Sequence, residues 1–151
     1  MNACVPIYSG QICGDELSLI PEKNYDLGFV DYSTMLMMGK NPKLVINFQV
    51  MEYGDYFGLI IPKYYGVTRL TSKPKKSGGF QVGRKSKFLR EFLTLFPDQS
   101  VKRLDRFPMS RFQGVMIKGR VKTVTKSFNQ RKIPESLQYS VIEELLKIKN
   151  L

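Results

Sequence analysis

The stretch KLVINFQVM, residues 43–51, constrains the fold more than any other part of the chain. Leu44, Ile46, Phe48 and Val50 fall on one side of an extended strand and Lys43, Val45, Asn47 and Gln49 on the other. That period of two sets an apolar face against a core. The turn Tyr53-Gly54-Asp55 follows, and YFGLIIPKYY after it is rich in aromatic and branched residues, so the two segments read as a hairpin. Pro62 has no amide to give a central ladder, so the second strand ends there or lies on an edge. Upstream, Tyr25, Leu27 and Phe29 alternate with Asp26, Gly28 and Val30 as a first strand, and the Met-rich segment 32–40 ends in a Gly-Lys-Asn-Pro turn.

Downstream, VTRL is a short strand, and Ser86 is placed to cap a helix through KFLREFLTLF, with Phe88, Leu89, Phe92, Leu93 and Phe96 as its apolar stripe. Phe96-Pro97-Asp98 ends that helix. In GVMIKGRVKTVTK, Val115, Ile117, Val121 and Thr123 share one strand face while Met116, Lys118, Arg120, Lys122 and Lys126 share the other. Ser140 and Glu143 have the spacing of a capping box, which predicts a short C-terminal helix through Leu145, Leu146 and Ile148. Residues 1–22 show no period and read as a loosely structured arm. With 151 residues, 42% of them hydrophobic, the chain is expected to form a single domain, 1–151. The expected fold class is mostly β (α+β): a small antiparallel OB-like barrel with a helix between strands 3 and 4 and a short C-terminal helix. A generic α+β sandwich fits the same order.

The chain contains no His. That removes the usual neutral-pH proton shuttle, the Ser/His and Cys/His nucleophile pairs and the commonest metal ligand. Cys4 and Cys13 cannot be completed into a Cys/His zinc site and read as free thiols. No acidic pair accompanies a Gly-rich loop in the manner of a Mg site. The expectation is a non-enzymatic protein with no cofactor and no metal. No apolar run approaches the roughly 20 residues that span a bilayer, and the start MNACVPIYSGQIC lacks a basic head, so a cytoplasmic location away from membranes is expected.

The net charge of +11 is unevenly placed: residues 62–132 hold nineteen Lys and Arg against Glu91, Asp98 and Asp105, and the rest of the chain is net negative. Such concentration is the footprint of a phosphate-backbone binder, and it also draws an acidic protein partner. GGFQVGRKS, 78–86, approaches a Walker loop, since Gly78 and Gly83 have the right gap; Arg84 and Lys85 then stand where Lys and Ser or Thr belong, and no Walker B strand follows. The stretch reads better as a basic hairpin with a flexible glycine tip. Arg69, Lys73, Lys75 and Lys76 precede that tip, and Arg84, Lys85, Lys87 and Arg90 run into the helix start, where main-chain amides favour phosphate oxygens. Lys118, Arg120 and Lys122 form a second stripe with a spacing of about 6.5 to 7 Å along one strand face. Tyr64, Tyr65, Phe80, Phe107 and Phe112 are stacking candidates, worth ~1 to 3 kcal/mol per base. Tyr64 and Tyr65 point to opposite faces if extended, which leaves one of them available.

The run LGFVDYSTMLMMGKNPKLVINFQVMEYGDYFGLIIPKYYGV is similar to the core of phage and mobile-element OB-fold single-stranded DNA-binding proteins. It offers a first strand, a polar insert ending in a Lys-rich turn, an LxIxFxV strand, and a GxYxG-type turn, whose place Asp55-Tyr56-Phe57-Gly58 fills. FQGVMIKGRVKTV would be a later strand of that barrel, so the resemblance covers residues 25–126. It implies a binder of single-stranded nucleic acid, ssDNA favoured, from a bacterial mobile element or phage. The alternative is an interaction protein or inhibitor that sets its basic surface on an acidic partner; a homo-oligomer is compatible with both.

Overall fold

The structure, a computed structural model, describes residues 18–126, 130–134 and 137–149. Cys4, Cys13 and residues 1–17 of the expected arm lie outside them. The elements in chain order are strands β1 (Asn24–Met37), β2 (Asn41–Val50), β3 (Ile60–Gly66), β4 (Arg69–Leu70) and β5 (Phe80–Gln81), helix α1 (Lys87–Leu95), a 3-10 turn (Met109–Phe112), and strands β6 (Met116–Val124) and β7 (Tyr139–Ile148). Five strands make one antiparallel sheet in the order β3-β2-β1-β6-β7, and β4 pairs with β5 in a small hairpin of its own. Pro62 sits in β3, an edge strand, where its missing amide leaves no central ladder bond unmade.

The Met-rich segment joins the first strand, so β1 is longer than its alternation alone suggested. Its start, Asn24–Gly28, pairs with β6, and from Leu27 onward it pairs with β2. A bulge between Phe29 and Asp31 inserts Val30 and lets β1 bend from one partner toward the other. Past Gly28 the edge that β6 leaves free is covered by the β4–β5 hairpin. Thr34 N–H donates to the Lys75 carbonyl at 3.0 Å and Ser77 N–H to the Tyr32 carbonyl at 2.9 Å. The glycines of that hairpin are therefore not a flexible tip. Gly78 is buried, and a Cβ there would collide with Thr34 Oγ1 and lie 3.0 Å from the Lys75 carbonyl. Close approach, rather than conformational freedom, demands glycine at this point.

Two further expectations fail. The Ser140/Glu143 pair caps no helix, because Tyr139–Ile148 is strand β7 along the open side of β6. Ser140 Oγ instead accepts from Ile20 N–H at 2.9 Å and donates to the Ile20 carbonyl at 3.3 Å, while Val141, Ile142 and Leu145 are buried. A pairing partner for branched residues outweighs a local cap. Nor does the sheet close into a barrel. Edge strands β3 and β7 come close across a seam, yet among the described residues no ladder joins them.

Helix α1 packs against both edges of that seam. Ser86 caps it, its Oγ accepting from Leu89 N–H at 3.1 Å, as the sequence suggested. Phe88, Phe92 and Phe96 enter a network of rings with Phe80, Phe107 and Phe112, which reaches Phe29 and Phe48 on the central strands at centroid distances of 5.0 to 6.3 Å. Each buried ring contributes roughly 1.5 to 3 kcal/mol. Leu93, expected in the stripe, is 37% exposed, and Glu91 is buried. Glu91 Oε1 accepts from Tyr65 O–H of β3 at 2.6 Å and from Leu145 N–H of β7 at 3.2 Å, so one carboxyl holds both edges. Among the described residues no helix is long and apolar enough to cross a membrane. Glu91→Gln, which keeps the acceptor, should stay within about 1 kcal/mol of wild type in urea unfolding, whereas Glu91→Leu, which orphans both donors, should lose roughly 2 to 4 kcal/mol.

Candidate nucleic-acid interface

Paired residues share a face of the sheet, so the register sorts the side chains. Leu44, Ile46 and Phe48 face the aromatic core with Tyr65 and Ile61. Met35 and Lys43, paired across β1 and β2, share the opposite face with Tyr64, which lies opposite Val45. On the far side of the seam, Lys122 pairs with Val141 and Val124 with Tyr139 on the face turned away from Val121 and Ile142. These two sets meet in one cleft of about 430 Å³, lined by Met35, Met37, Lys43, Lys63, Tyr64, Lys87, Lys122, Val124, Tyr139, Val141, Ile142 and Glu143. Four lysines and two tyrosines thus surround a partly apolar floor with a single acidic side chain among them.

Three of the residues picked out from the sequence, Tyr64, Lys87 and Lys122, come together here. Lys43, Lys63 and Tyr139 complete the cleft and were missed. Lys87 Nζ donates to the Glu143 carbonyl at 2.8 Å and lies 3.8 Å from Glu91 Oε2, which ties α1 to β7. Lys43, Lys63 and Lys122 have no carboxylate within ion-pair distance among the described residues.

The other expected site residues go elsewhere. Tyr65, Phe80 and Phe112 are buried core, 3%, 5% and 1% exposed, so they offer no face to a base, and Phe107 packs among the rings of Phe80, Phe88 and Phe92. Of the five stacking candidates Tyr64 remains, half-buried, with its hydroxyl raised above the usual tyrosine value by that burial. The stripe on β6 is partly paired. Lys118 lies 2.7 Å from Asp26, a carboxylate it shares with Lys149, and Arg120 pairs with Glu144 at 3.1 Å, while among the described residues Lys122 has no carboxylate within ion-pair distance. On the hairpin, Arg69 donates to Gln81 and Lys76 lies 3.7 Å from Asp31, while Lys73, Lys75 and Lys85 are exposed. Arg84 lines a different groove with Leu89, Leu93, Gln99, Val101, Lys102 and Leu104, and Arg90 is exposed on α1.

Lys63 is the unusual member of the cleft. Alternation puts it on the face of Ile61 and Tyr65, and it is 3% exposed. Its ammonium lies 4.1 Å over the Tyr65 ring and has one weak acceptor, the Tyr64 carbonyl at 3.4 Å. Burial lowers it to about 8; Glu91 and Glu144 oppose that shift, and Lys87 and Lys122 add to it. A lysine at a core position of an edge strand was the one visible sign of it in the sequence, since Lys is almost never fully buried without a partner.

No protein-family model, curated protein or solved structure matches the chain.

Because Lys63 is lowered in the folded state, the unfolded chain holds more protons between about pH 8 and its ordinary value of 10.5. The Lys63 contribution to stability therefore rises with pH through that window, and the cost of its buried charge is present in full below it. Lys63→Met should accordingly be more stable than wild type at neutral pH, on the order of 2 kcal/mol in urea unfolding, with the gap closing as pH approaches 10.

Proposed function

We propose that the protein is a non-enzymatic binder of single-stranded nucleic acid, ssDNA favoured, and that the strand lies in the cleft between β3 and β7. The observation that carries this reading is the lining of the cleft, where Lys43, Lys63 and Lys122 stand beside Tyr64 and Tyr139 with no carboxylate within ion-pair distance among the described residues. Cations that no internal acid neutralises suit a phosphate backbone, and rings beside them suit bases.

We also read the fold as an OB-like barrel left open at one seam. Its support is the strand order, in which β1 is shared between β2 and β6, and the nearness of β3 and β7 with α1 between them. The resemblance of residues 25–126 to phage and mobile-element single-strand binders agrees with that reading, and a cytoplasmic setting is part of the same proposal. The second reading, a protein partner with acidic flanks, is favoured by the groove beside α1, where Arg84 and Lys102 rim Leu89, Leu93, Val101 and Leu104. Absorbance at 260 nm that nuclease removes from the purified protein favours the first reading; stable copurification with an acidic protein favours the second.

Anisotropy with a labelled oligothymidylate should show binding that weakens steeply as salt is raised, since each neutralised phosphate releases counterions. Lys122→Glu should weaken it roughly tenfold, and Tyr64→Ala should cost ~1 to 3 kcal/mol. Lys102→Glu, in the other groove, should have a much smaller effect. No binding at low salt overturns the proposal.

A further inference from the structure

The buried lysine of the cleft has fewer partners than its chemistry requires. An ammonium has three donors, and the fold gives Lys63 one acceptor at 3.4 Å and one ring face. Glu91 does not complete it: Oε1 accepts from Tyr65 and Leu145, Oε2 is buried without a hydrogen-bond donor and 3.8 Å from Lys87, and among the described residues no carboxylate lies within ion-pair distance of Lys63. The groups facing Lys63 come from every neighbouring element. They are Tyr64 and Tyr65 on its own strand, Lys43 on β2, Lys87 and Glu91 on α1, Lys122 on β6, and Tyr139, Glu143 and Glu144 on β7. Burying a lysine there costs stability that an apolar residue would recover, which is the pattern of a group kept for a ligand rather than for the fold.

We propose that Lys63 is the phosphate-recognising centre of the cleft, its ammonium taking a phosphodiester oxygen of the bound strand as the acceptor that the fold does not provide. This rests on the nucleic-acid reading above. Lys43, Lys87 and Lys122 stand around the same opening and draw the backbone in, while Tyr64 and Tyr139 flank the place where a base would lie. A consequence is proton linkage. Burial holds Lys63 at about 8, and an anion beside it favours the charged form, so binding above that pH takes up a proton. Affinity then falls as pH rises. The chain has no His to produce such a dependence.

The test is the affinity of the full chain for an oligothymidylate without terminal phosphates, at fixed low salt, from about pH 6.5 to about pH 9.5. Wild type should weaken about tenfold between about pH 7 and pH 9, Lys63→Arg should stay within about twofold, and Lys63→Met should be weaker at neutral pH and equally flat. Calorimetry of wild type in two buffers of different ionisation heat at about pH 8.5 should show uptake of most of one proton, a reading that needs no variant. Flat binding in wild type overturns the inference while leaving nucleic-acid binding intact. So does a pH dependence that persists in both variants, which would belong to the Cys4 and Cys13 thiols or the terminal amine. Tightening on addition of a 5′-phosphate would reassign the centre to a strand end and overturn the diester. Absence of binding at every pH overturns the nucleic-acid reading, and this inference with it.

Discussion

The Glu91 carboxyl is buried between the two edge strands of the sheet, where it accepts from Tyr65 O–H on β3 and Leu145 N–H on β7. Those edges approach but do not pair, so the seam has to be bridged by something other than a strand ladder. Helix α1 does this with an aromatic face below and a polar contact at the edges, Glu91 toward both strands and Lys87 toward the Glu143 carbonyl. Had β3 and β7 paired, their main-chain groups would be satisfied by each other, and a side-chain acceptor between them would be superfluous. The open seam and the buried acid explain one another.

The cleft follows from the same arrangement. Curling brings Tyr64 at one end of the sheet toward Lys122 and Tyr139 at the other, although they are far apart in strand order. Lys63 is drawn under that opening by the alternation of β3, over the ring whose hydroxyl Glu91 holds. Tyr65 is held well above the usual tyrosine value, by burial first and then by Glu91, so it stays a neutral donor at physiological pH. The neutral Tyr65 donor fixes Glu91 Oε1, while Oε2 stays buried without a hydrogen-bond donor and beyond ion-pair distance of Lys63. The contacts at the seam and the environment of the buried ammonium are therefore set by one small group of side chains.

Much of this frame is legible in the sequence. The alternation of Leu44, Ile46 and Phe48, the β6 pattern around Ile117 and Val121, and the Ser86 cap all encode local geometry, and the structure keeps each of them. Local rules fail where a distant partner decides. Ser140 and Glu143 read as a helix cap, but Ile20 takes the serine and β6 takes the strand. Gly78 reads as a flexible tip, but Thr34 packs against it. Charge counting found the basic half of the chain without showing which cations keep their charge free. Asp26 and Glu144, both outside that half, pair with Lys118 and Arg120, and Asp26 is shared with Lys149. Lys63 and Glu91 were hidden for the opposite reason, since a charged residue at a core position counts against the pattern that would place it.

The central claim is that a nucleic-acid strand occupies the cleft between β3 and β7. The most direct measurement is the backbone amide spectrum of the protein during titration with an oligothymidylate. The account predicts that shifts concentrate at Lys63, Tyr64, Lys122, Val124, Tyr139 and Val141, in two segments distant in sequence, with the groove of Val101 and Lys102 little changed. Shifts confined to the hairpin around Lys73 and Lys75 or to the α1 groove, with the β3 and β7 amides unmoved, would contradict it.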